Sequence, residues 1–147
     1  MVYIPPEFVI NSTLSVGAVY KFSAPELINT TIPHYFIVVG IDCNDNYLVL
    51  CTTQLDKKLN YFQKKGLDPK TLAYLLPSNE NGLTDDTYVN CNDYHYISKE
   101  SLINKVRSSM LSVSGKITKP EYDDICTAID LSHTNDLPAY LLVYSED

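Results

Sequence analysis

The sequence predicts a mainly β protein with a C-terminal helix, an α+β fold, and three observations support this class. Two runs of apolar, β-branched and aromatic residues, 33–41 and 47–54, flank a short polar segment, which is the pattern of a β-hairpin. The chain has 12 Tyr and 4 Phe but no Trp, and aromatic side chains favour pleated surfaces. A helix-start motif at 118–121 precedes an apolar pattern of helical spacing.

The N-terminal part is expected to add to the sheet. Residues 1–16 are predicted to form an extension in which Phe8-Val9-Ile10 adds a short strand. Residues 16–22 alternate after Gly17 and predict the first strand of the main sheet. A polar loop is expected over 23–33. A chain of 147 residues is long enough to bury a real core, so we predict one domain spanning 1–147.

The hairpin provides the best candidate site. Both of its strands are apolar enough to be central in the sheet. Polar side chains lie only at the ends, with His34 where the first strand begins and Thr52 and Thr53 where the second one finishes. The start of one antiparallel strand lies beside the end of the next. We therefore expect His34 to meet the two threonines at the open end of the hairpin, away from the turn at 42–46.

Residues 55–87 are predicted to be a long, partly helical insertion. Two lysine pairs and several apolar residues precede Gly66, which predicts a short amphipathic helix that ends at this glycine. Residues 77–82 predict a loop. A connection of this length in a compact domain usually carries function or is partly disordered.

The C-terminal part is predicted to end in a well-capped helix. The Thr118 hydroxyl can accept from the backbone amide of Glu121 while the Glu121 carboxylate reaches back, and Pro120 lies in the first turn. Two strands are expected before this helix, at 87–91 and 94–97, followed by an earlier helix that begins at Ser98. A final strand or extended tail is expected at 137–144.

The charge is distributed unevenly. The net charge is −7, yet residues 57–119 hold ten of the eleven basic residues, and 121–147 hold seven acids with no Lys or Arg. A local basic surface with an acidic C-terminal face is compatible with RNA binding. The alternative is that these lysines are ordinary solvated surface residues.

Other classes of protein are disfavoured by the sequence. No apolar run is long enough to span a bilayer, and the first sixteen residues carry no Lys or Arg, so we expect a cytoplasmic protein without a membrane partner. The four cysteines and three histidines lack the spacing of zinc ligands. We therefore predict no metal and no cofactor, with a zinc protein as a third alternative.

Four stretches carry a resemblance to a known family: Gly17-Ala18-Val19-Tyr20, His34-Tyr35-Phe36-Ile37-Val38-Val39, Leu48-Val49-Leu50-Cys51-Thr52-Thr53-Gln54 and Gly115-Lys116-Ile117-Thr118-Lys119-Pro120-Glu121. Their order resembles the MazF/PemK (Kid-like) family of bacterial toxin endoribonucleases. The resemblance implies an SH3-like barrel with a C-terminal helix, cleavage of single-stranded RNA without a metal, an antitoxin partner and a homodimer. The chain has His34 where the family has its catalytic Arg, and Tyr35 where a proline follows.

The resemblance and the residue chemistry together give a set of roles. Metal-free RNA cleavage needs a base, an acid and donors for the charge that develops on the phosphate. Imidazole can be base or acid near neutral pH, hydroxyls can donate to phosphate, lysines can supply positive charge, and tyrosines can stack on bases. The candidate catalytic residues are therefore His34, Thr52 and Thr53, and the candidate RNA-binding residues are Lys57, Lys58, Tyr35 and Tyr47.

Each role has a structural alternative. His34 could be a strand-start histidine bonded to a neighbouring carbonyl, and the threonines could reflect β-propensity alone. His95, between two tyrosines, is expected to be structural, and His133 is expected to be exposed. The alternative function is a catalytically inactive SH3-like barrel that binds RNA or a protein partner.

Overall fold

The computed structural model describes residues 3–43 and 45–144. Five helices lie in this part of the chain: α1 (Pro6–Thr13), α2 (Pro25–Ile28), α3 (Leu55–Lys65), α4 (Lys99–Arg107) and α5 (Lys119–Leu131). Seven strands accompany them: β1 (Ala18–Phe22), β2 (His34–Ile41), β3 (Asn46–Thr52), β4 (Leu72–Leu75), β5 (Thr87–Asn90), β6 (His95–Ile97) and β7 (Leu111–Lys116). Two 3-10 turns are found at Pro69–Thr71 and Ala139–Leu141.

The strands form one antiparallel sheet around the predicted hairpin. Its order is β4-β5-β3-β2-β1-β7, and β6 pairs with β3 beside this path. The β2–β3 hairpin is therefore central, as its apolar composition predicts, and the α+β class is confirmed. Closure of this sheet into an SH3-like barrel stays a prediction.

Alternate residues of β2 face two separate hydrophobic cores. Phe36 and Val38 belong to a core that α1 and α4 cover with Ile10 and Leu102. The intervening residues of β2 belong to a second core that contains Ile125 of α5. Because successive strand residues point to opposite faces, a strand covered on both sides must be apolar throughout, and this explains the unbroken apolar run in the sequence.

The helix ends follow the local chemistry of the sequence. At α5 the Thr118 hydroxyl accepts from the Glu121 amide at 3.3 Å, and the Glu121 carboxylate accepts from the Thr118 amide at 2.8 Å. The predicted capping box is therefore confirmed. The prediction that Gly66 ends α3 is also confirmed, because this residue has a left-handed backbone (φ 69°) that glycine adopts without strain.

Several local predictions are wrong. Phe8-Val9-Ile10 is part of helix α1 and not a strand, because three apolar residues cannot distinguish the two periodicities. The 23–33 loop contains the short helix α2. Strand β4 inside the insertion and strand β7 are absent from the sequence predictions. Of the two forms expected for residues 137–144, the strand is wrong, since the segment contains a 3-10 turn at Ala139–Leu141 and no strand.

A few predictions fall on residues outside the described part. These are the tip of the hairpin turn at Asn44, the first two residues of the N-terminal extension and the terminal acids Glu146 and Asp147. Within residues 3–43 and 45–144, no helix is both long enough and apolar enough to cross a bilayer.

Candidate active site

The hairpin register brings His34 and Thr52 together. Phe36 of β2 pairs with Leu50 of β3. The same register continued by two residues places His34 opposite Thr52, and opposite residues of an antiparallel pair point to the same face. Thr53, one residue further along, follows the end of the strand. At this open end His34 and Thr52 line one cleft, and Thr53 joins both of them in an adjoining cleft.

A cleft of about 210 Å³ lies at this end of the hairpin, and it is here called the His34 cleft. Helix α3 begins at Leu55, directly after β3, so its first two turns form one wall. The side chains that matter for chemistry come from both strands and from this helix: His34, Leu50, Thr52, Lys57, Lys58 and Tyr61.

The His34 ring is held by one hydrogen bond. Its Nδ1 lies 2.8 Å from the carbonyl oxygen of Ile32. A carbonyl can only accept, so Nδ1 carries the proton, and Nε2 is the nitrogen left to exchange protons with a ligand. The bond to a neighbouring carbonyl is also what the structural alternative for His34 expects. The geometry is therefore compatible with both roles.

The Thr52 hydroxyl is oriented by the backbone. Its Oγ1 accepts a hydrogen bond from the Gln54 amide at 3.1 Å. The hydroxyl proton is left to donate, since a hydroxyl has one donor beside its acceptor lone pairs. Thr52 is half-buried, whereas Thr53 is exposed and lines a neighbouring cleft. Thr52 is therefore the better candidate of the two for a donor opposite His34.

Two lysines make the His34 cleft cationic. Lys57 is exposed, and Lys58 is half-buried with its ammonium 5.1 Å from the centre of the Tyr61 ring. Burial lowers the pKa of Lys58, the neighbouring Lys57 lowers it further, and Asp93 acts in the opposite direction. Among the residues that the structure describes, no Asp or Glu lines this cleft. An anion such as a phosphate would meet positive charge here.

A second cleft of about 450 Å³ adjoins the first and is called the Tyr35 cleft. The two share His34, Thr52 and Lys57, and Tyr35 and Lys21 line only the second. Lys21 lies 5.1 Å from the centre of the Tyr35 ring, within the range of a cation–π contact. Tyr35 is thus an aromatic surface beside positive charge, the combination with which proteins bind single-stranded nucleic acid.

Sequence reasoning missed Lys21. It is the one basic residue outside 57–119, and it reaches the site because it pairs with Tyr35 across β1 and β2. The loop between these strands spans residues 23–33, too long to fix their register from sequence. The alternation of β1 gave the only usable signal, since Lys21 is its single exposed position.

Tyr47 is not brought to this site. It pairs with Gly40 at the turn end of the hairpin, opposite to the open end. Its hydroxyl donates to Asp42 at 2.9 Å, and this bond is the main cause that raises its pKa to about 12. Its ring contacts Tyr94 and Tyr96. The prediction that Tyr47 belongs to the RNA-binding residues is therefore corrected. A residue directly after the turn must lie far from the open end of the hairpin, where His34 and Thr52 lie.

The remaining histidines and the cysteines lie outside the two clefts, with one exception. Cys51 lines both clefts, but burial strongly raises the pKa of its thiol. All four cysteines are free. Residues 3–43 and 45–144 contain no group of three or more His, Cys, Asp or Glu side chains suited to a metal ion. His133 is exposed as expected, and His95 is half-buried with its ring edge-on to Phe36.

The fold is shared with a known endoribonuclease. No protein-family model and no curated protein matches the sequence. An endoribonuclease from a mycobacterial species is similar in structure at a TM-score of 0.53 and 18% identity, over 86% of this chain and 96% of that chain. The MazF-mt6 toxin of Mycobacterium tuberculosis is similar at a TM-score of 0.46 and 11% identity, over 76% and 91% of the two chains. The chain has the fold of the mycobacterial endoribonuclease, and the predicted resemblance is confirmed at the level of the fold.

Proposed function

We propose that this protein is an endoribonuclease that cleaves single-stranded RNA without a metal, and that it acts in the cytoplasm as the toxin of a toxin–antitoxin pair. The observation that carries the proposal is the convergence of His34, Thr52, Lys57 and Lys58 in one cleft. An imidazole, a hydroxyl and two ammonium groups can supply the base, the acid and the phosphate donors that cleavage by an internal hydroxyl requires. The shared fold with an endoribonuclease supports the same activity.

His34 is proposed as the general base. Its Nε2 takes the proton of the ribose 2′-hydroxyl, and the 2′-oxygen then attacks the adjacent phosphorus. A new 2′-oxygen–phosphorus bond forms while the bond from phosphorus to the 5′-oxygen breaks, which gives a 2′,3′-cyclic phosphate and a 5′-hydroxyl end. The Nδ1 bond to Ile32 supports this role, since it fixes the tautomer in which Nε2 is free to accept a proton.

Thr52 and the lysines are proposed to stabilise the charge of the transition state. The Thr52 hydroxyl, oriented by the Gln54 amide, donates to a non-bridging phosphate oxygen. Lys57 and Lys58 supply the positive charge that an Arg would provide in the family pattern, although an ammonium lacks the two parallel bonds of a guanidinium. Lys58 also gives a proton to the departing 5′-oxygen, a role that its lowered pKa favours.

Tyr35 is proposed to bind an unpaired base next to the cleavage point. It lines the adjoining cleft together with Lys21, which can contact the following phosphate. Stacking of a base on an aromatic ring contributes about 1–3 kcal/mol. Because only unpaired bases expose a full face to a side chain, this contact favours single-stranded over double-stranded RNA.

The proposal is tested with purified protein and end-labelled single-stranded RNA in the presence of a chelator. We expect cleavage with 2′,3′-cyclic phosphate ends, and no loss of rate when the chelator is added. Cleavage that the chelator abolishes contradicts the metal-free mechanism. No cleavage, with RNA affinity that falls steeply as salt rises, favours the alternative of a catalytically inactive module.

We also propose that the protein binds an antitoxin and forms a homodimer. The resemblance implies an antitoxin that neutralises the protein and a homodimer. Light scattering on a size-exclusion column tests the dimer, and a mass of one chain across the concentration range contradicts it. Co-expression with the product of a neighbouring small gene tests the antitoxin, and unchanged RNA cleavage in the co-purified sample contradicts neutralisation.

A further inference from the structure

A third pocket continues from the His34 cleft on the side of helix α3. Its volume is about 290 Å³, and it shares Leu50, Lys58 and Tyr61 with the His34 cleft. It is called here the His95 pocket. Leu27 and Ile28 of α2 complete its apolar walls, and both are half-buried. A ligand bound in the His34 cleft would therefore have a neighbouring apolar space along α3.

The polar edge of the His95 pocket consists of four groups: Lys58, Asn90, Asp93 and His95. Within residues 3–43 and 45–144, neither the Asp93 carboxylate nor the His95 ring makes a hydrogen bond or a salt bridge to another side chain. Asp93 is exposed, and it is close enough to Lys58 and His95 to act on both through its charge. The pocket thus presents the Asp93 carboxylate as an acceptor, with Lys58 and His95 as possible donors, whereas the Asn90 side-chain oxygen already accepts from Asn92.

We infer that the His95 pocket binds a guanine base of the RNA strand, next to the phosphate held in the His34 cleft. This rests on the proposed function in that the ligand is single-stranded RNA. A small apolar space with a few convergent polar groups is the usual form of a specific pocket. Unpaired bases are recognised by apolar or aromatic contact with their faces and by hydrogen bonds to their edges.

Guanine fits this polar edge better than the other bases. Its N1–H and N2–H2 groups lie side by side, and they can donate together to the two oxygens of the Asp93 carboxylate. Its O6 and N7 are acceptors, which Lys58 and the His95 ring can satisfy as donors. Uracil offers one N–H between two carbonyls, so it would leave a carbonyl facing the carboxylate. Adenine and cytosine each present an amino group beside an acceptor, and that acceptor would also face Asp93.

The test measures binding of short 2′-O-methyl oligonucleotides by fluorescence anisotropy. The blocked 2′-oxygen prevents cleavage, so the result does not depend on catalysis. The probes are uridine tracts with one central guanine, adenine, cytosine or inosine. Since a bidentate contact to a base discriminates by about 1–3 kcal/mol, we expect the guanine probe to bind about tenfold more tightly than the others. Inosine lacks only the N2 amino group, and we expect it to lose most of this advantage.

Two variants that each remove one negative charge test whether Asp93 causes the preference for guanine. Asp93→Asn is expected to reduce the preference for guanine to less than about twofold. Asp130→Asn changes an exposed carboxylate on α5 and is expected to leave the preference as it is. Equal binding of all four probes by the wild-type protein, or a guanine preference that survives Asp93→Asn, overturns the inference. If the guanine preference is present but cleavable RNA stays intact, the proposed activity fails while the base pocket stands.

Discussion

One peptide unit separates two threonines with different surroundings. Thr52 is half-buried, lines the His34 cleft together with His34 and accepts from the Gln54 amide. Thr53 is exposed and lines the Tyr35 cleft and a neighbouring acidic cleft that contains Asp85 and Asp86. Both threonines line the Tyr35 cleft with His34, but only Thr52 also lines the His34 cleft beside Lys58.

The two threonines therefore give a matched pair of variants. Thr52→Val removes the proposed phosphate donor while it keeps a β-branched shape, and we expect the cleavage rate constant to fall about a hundredfold. Thr53→Val makes the same chemical change one residue further on and is expected to stay within about threefold of wild type. The measurement is single-turnover cleavage of labelled RNA. Equal losses in the two variants would contradict the assignment of Thr52.

His95 makes the stability of the protein depend on pH. Burial lowers its pKa from the ordinary value of 6.5, and Asp93 opposes this effect. The unfolded state therefore binds a proton first as the pH falls through 6.5, so the free energy of unfolding decreases on the acid side. Urea unfolding at pH 7.5 and 5.5 should show this loss in the wild type and a smaller loss in His95→Gln. An identical pH dependence in both proteins would argue against the lowered pKa.

At the scale of elements, the sequence and the structure agree where a local rule decides. The capping residues Thr118 and Glu121 and the terminating Gly66 each satisfy backbone groups within one turn, so their roles are visible in a short stretch. The hairpin register is similarly local. The same rule that pairs His34 with Thr52 also sends Tyr47 to the far end, and applying it consistently would have excluded that tyrosine.

Other parts of the site depend on contacts that are distant in sequence. Lys21 enters through the β1–β2 register, which the 23–33 loop leaves undetermined. The contribution of Tyr61 to two pockets depends on how α3 packs beside β3, and the helical pattern of residues 55–65 specifies no docking site. The tyrosine neighbours of His95 in the sequence indicate a structural role, and only the assembled sheet brings it into one pocket with Lys58. The positions of these three residues are therefore set by tertiary packing and not by the local sequence.

The loop before β5 provides a test of packing between elements. Gly82 has a positive φ of 71°, and a Cβ atom there would overlap the backbone carbonyl of Ser114 on β7. Gly66 has a similar φ of 69°, but a Cβ there meets nothing within 4 Å. Gly66→Ala should cost about 1 kcal/mol of unfolding free energy for its backbone alone. Gly82→Ala should cost about 1–3 kcal/mol more, since a backbone atom must move.

Urea titration of both glycine variants measures this difference directly. The comparison cancels the backbone contribution, because the two glycines have nearly the same left-handed conformation. What is left is the steric contact between the 77–82 loop and β7. Equal destabilisation by the two substitutions would mean that this loop does not pack on Ser114 as described.

At the scale of the whole molecule, the site is cationic although the net charge of the protein is −7. Lys21, Lys57 and His34 surround the Tyr35 cleft, whereas the acids of the C-terminal part are carried by α5 and the residues after it. An RNA strand is therefore expected to bind through a small number of phosphate contacts. The affinity should depend on salt, but less steeply than for a strongly basic RNA-binding protein.

A salt titration checks this charge distribution. For single strands the slope of log K against log salt is about −0.7 for each phosphate contact. With Lys21, Lys57 and Lys58 engaged we expect a slope of about −2, and Lys57→Ala should reduce its size by about 0.7. Lys99→Ala, at an exposed position that lines none of the three pockets, should leave the slope unchanged. Equal effects of the two variants would contradict a localised RNA site.

The central claim is that the His34 imidazole transfers a proton in RNA cleavage, and chemical rescue tests it most directly. Single-turnover cleavage in a chelator is compared for the wild type, His34→Ala and the exposed-site control His133→Ala. We expect His34→Ala to lose about 10²–10⁴-fold in rate, added imidazole to restore part of that loss in the vacated cleft, and His133→Ala to match the wild type. Equal cleavage by the wild type and His34→Ala, with no response to imidazole, would contradict the claim.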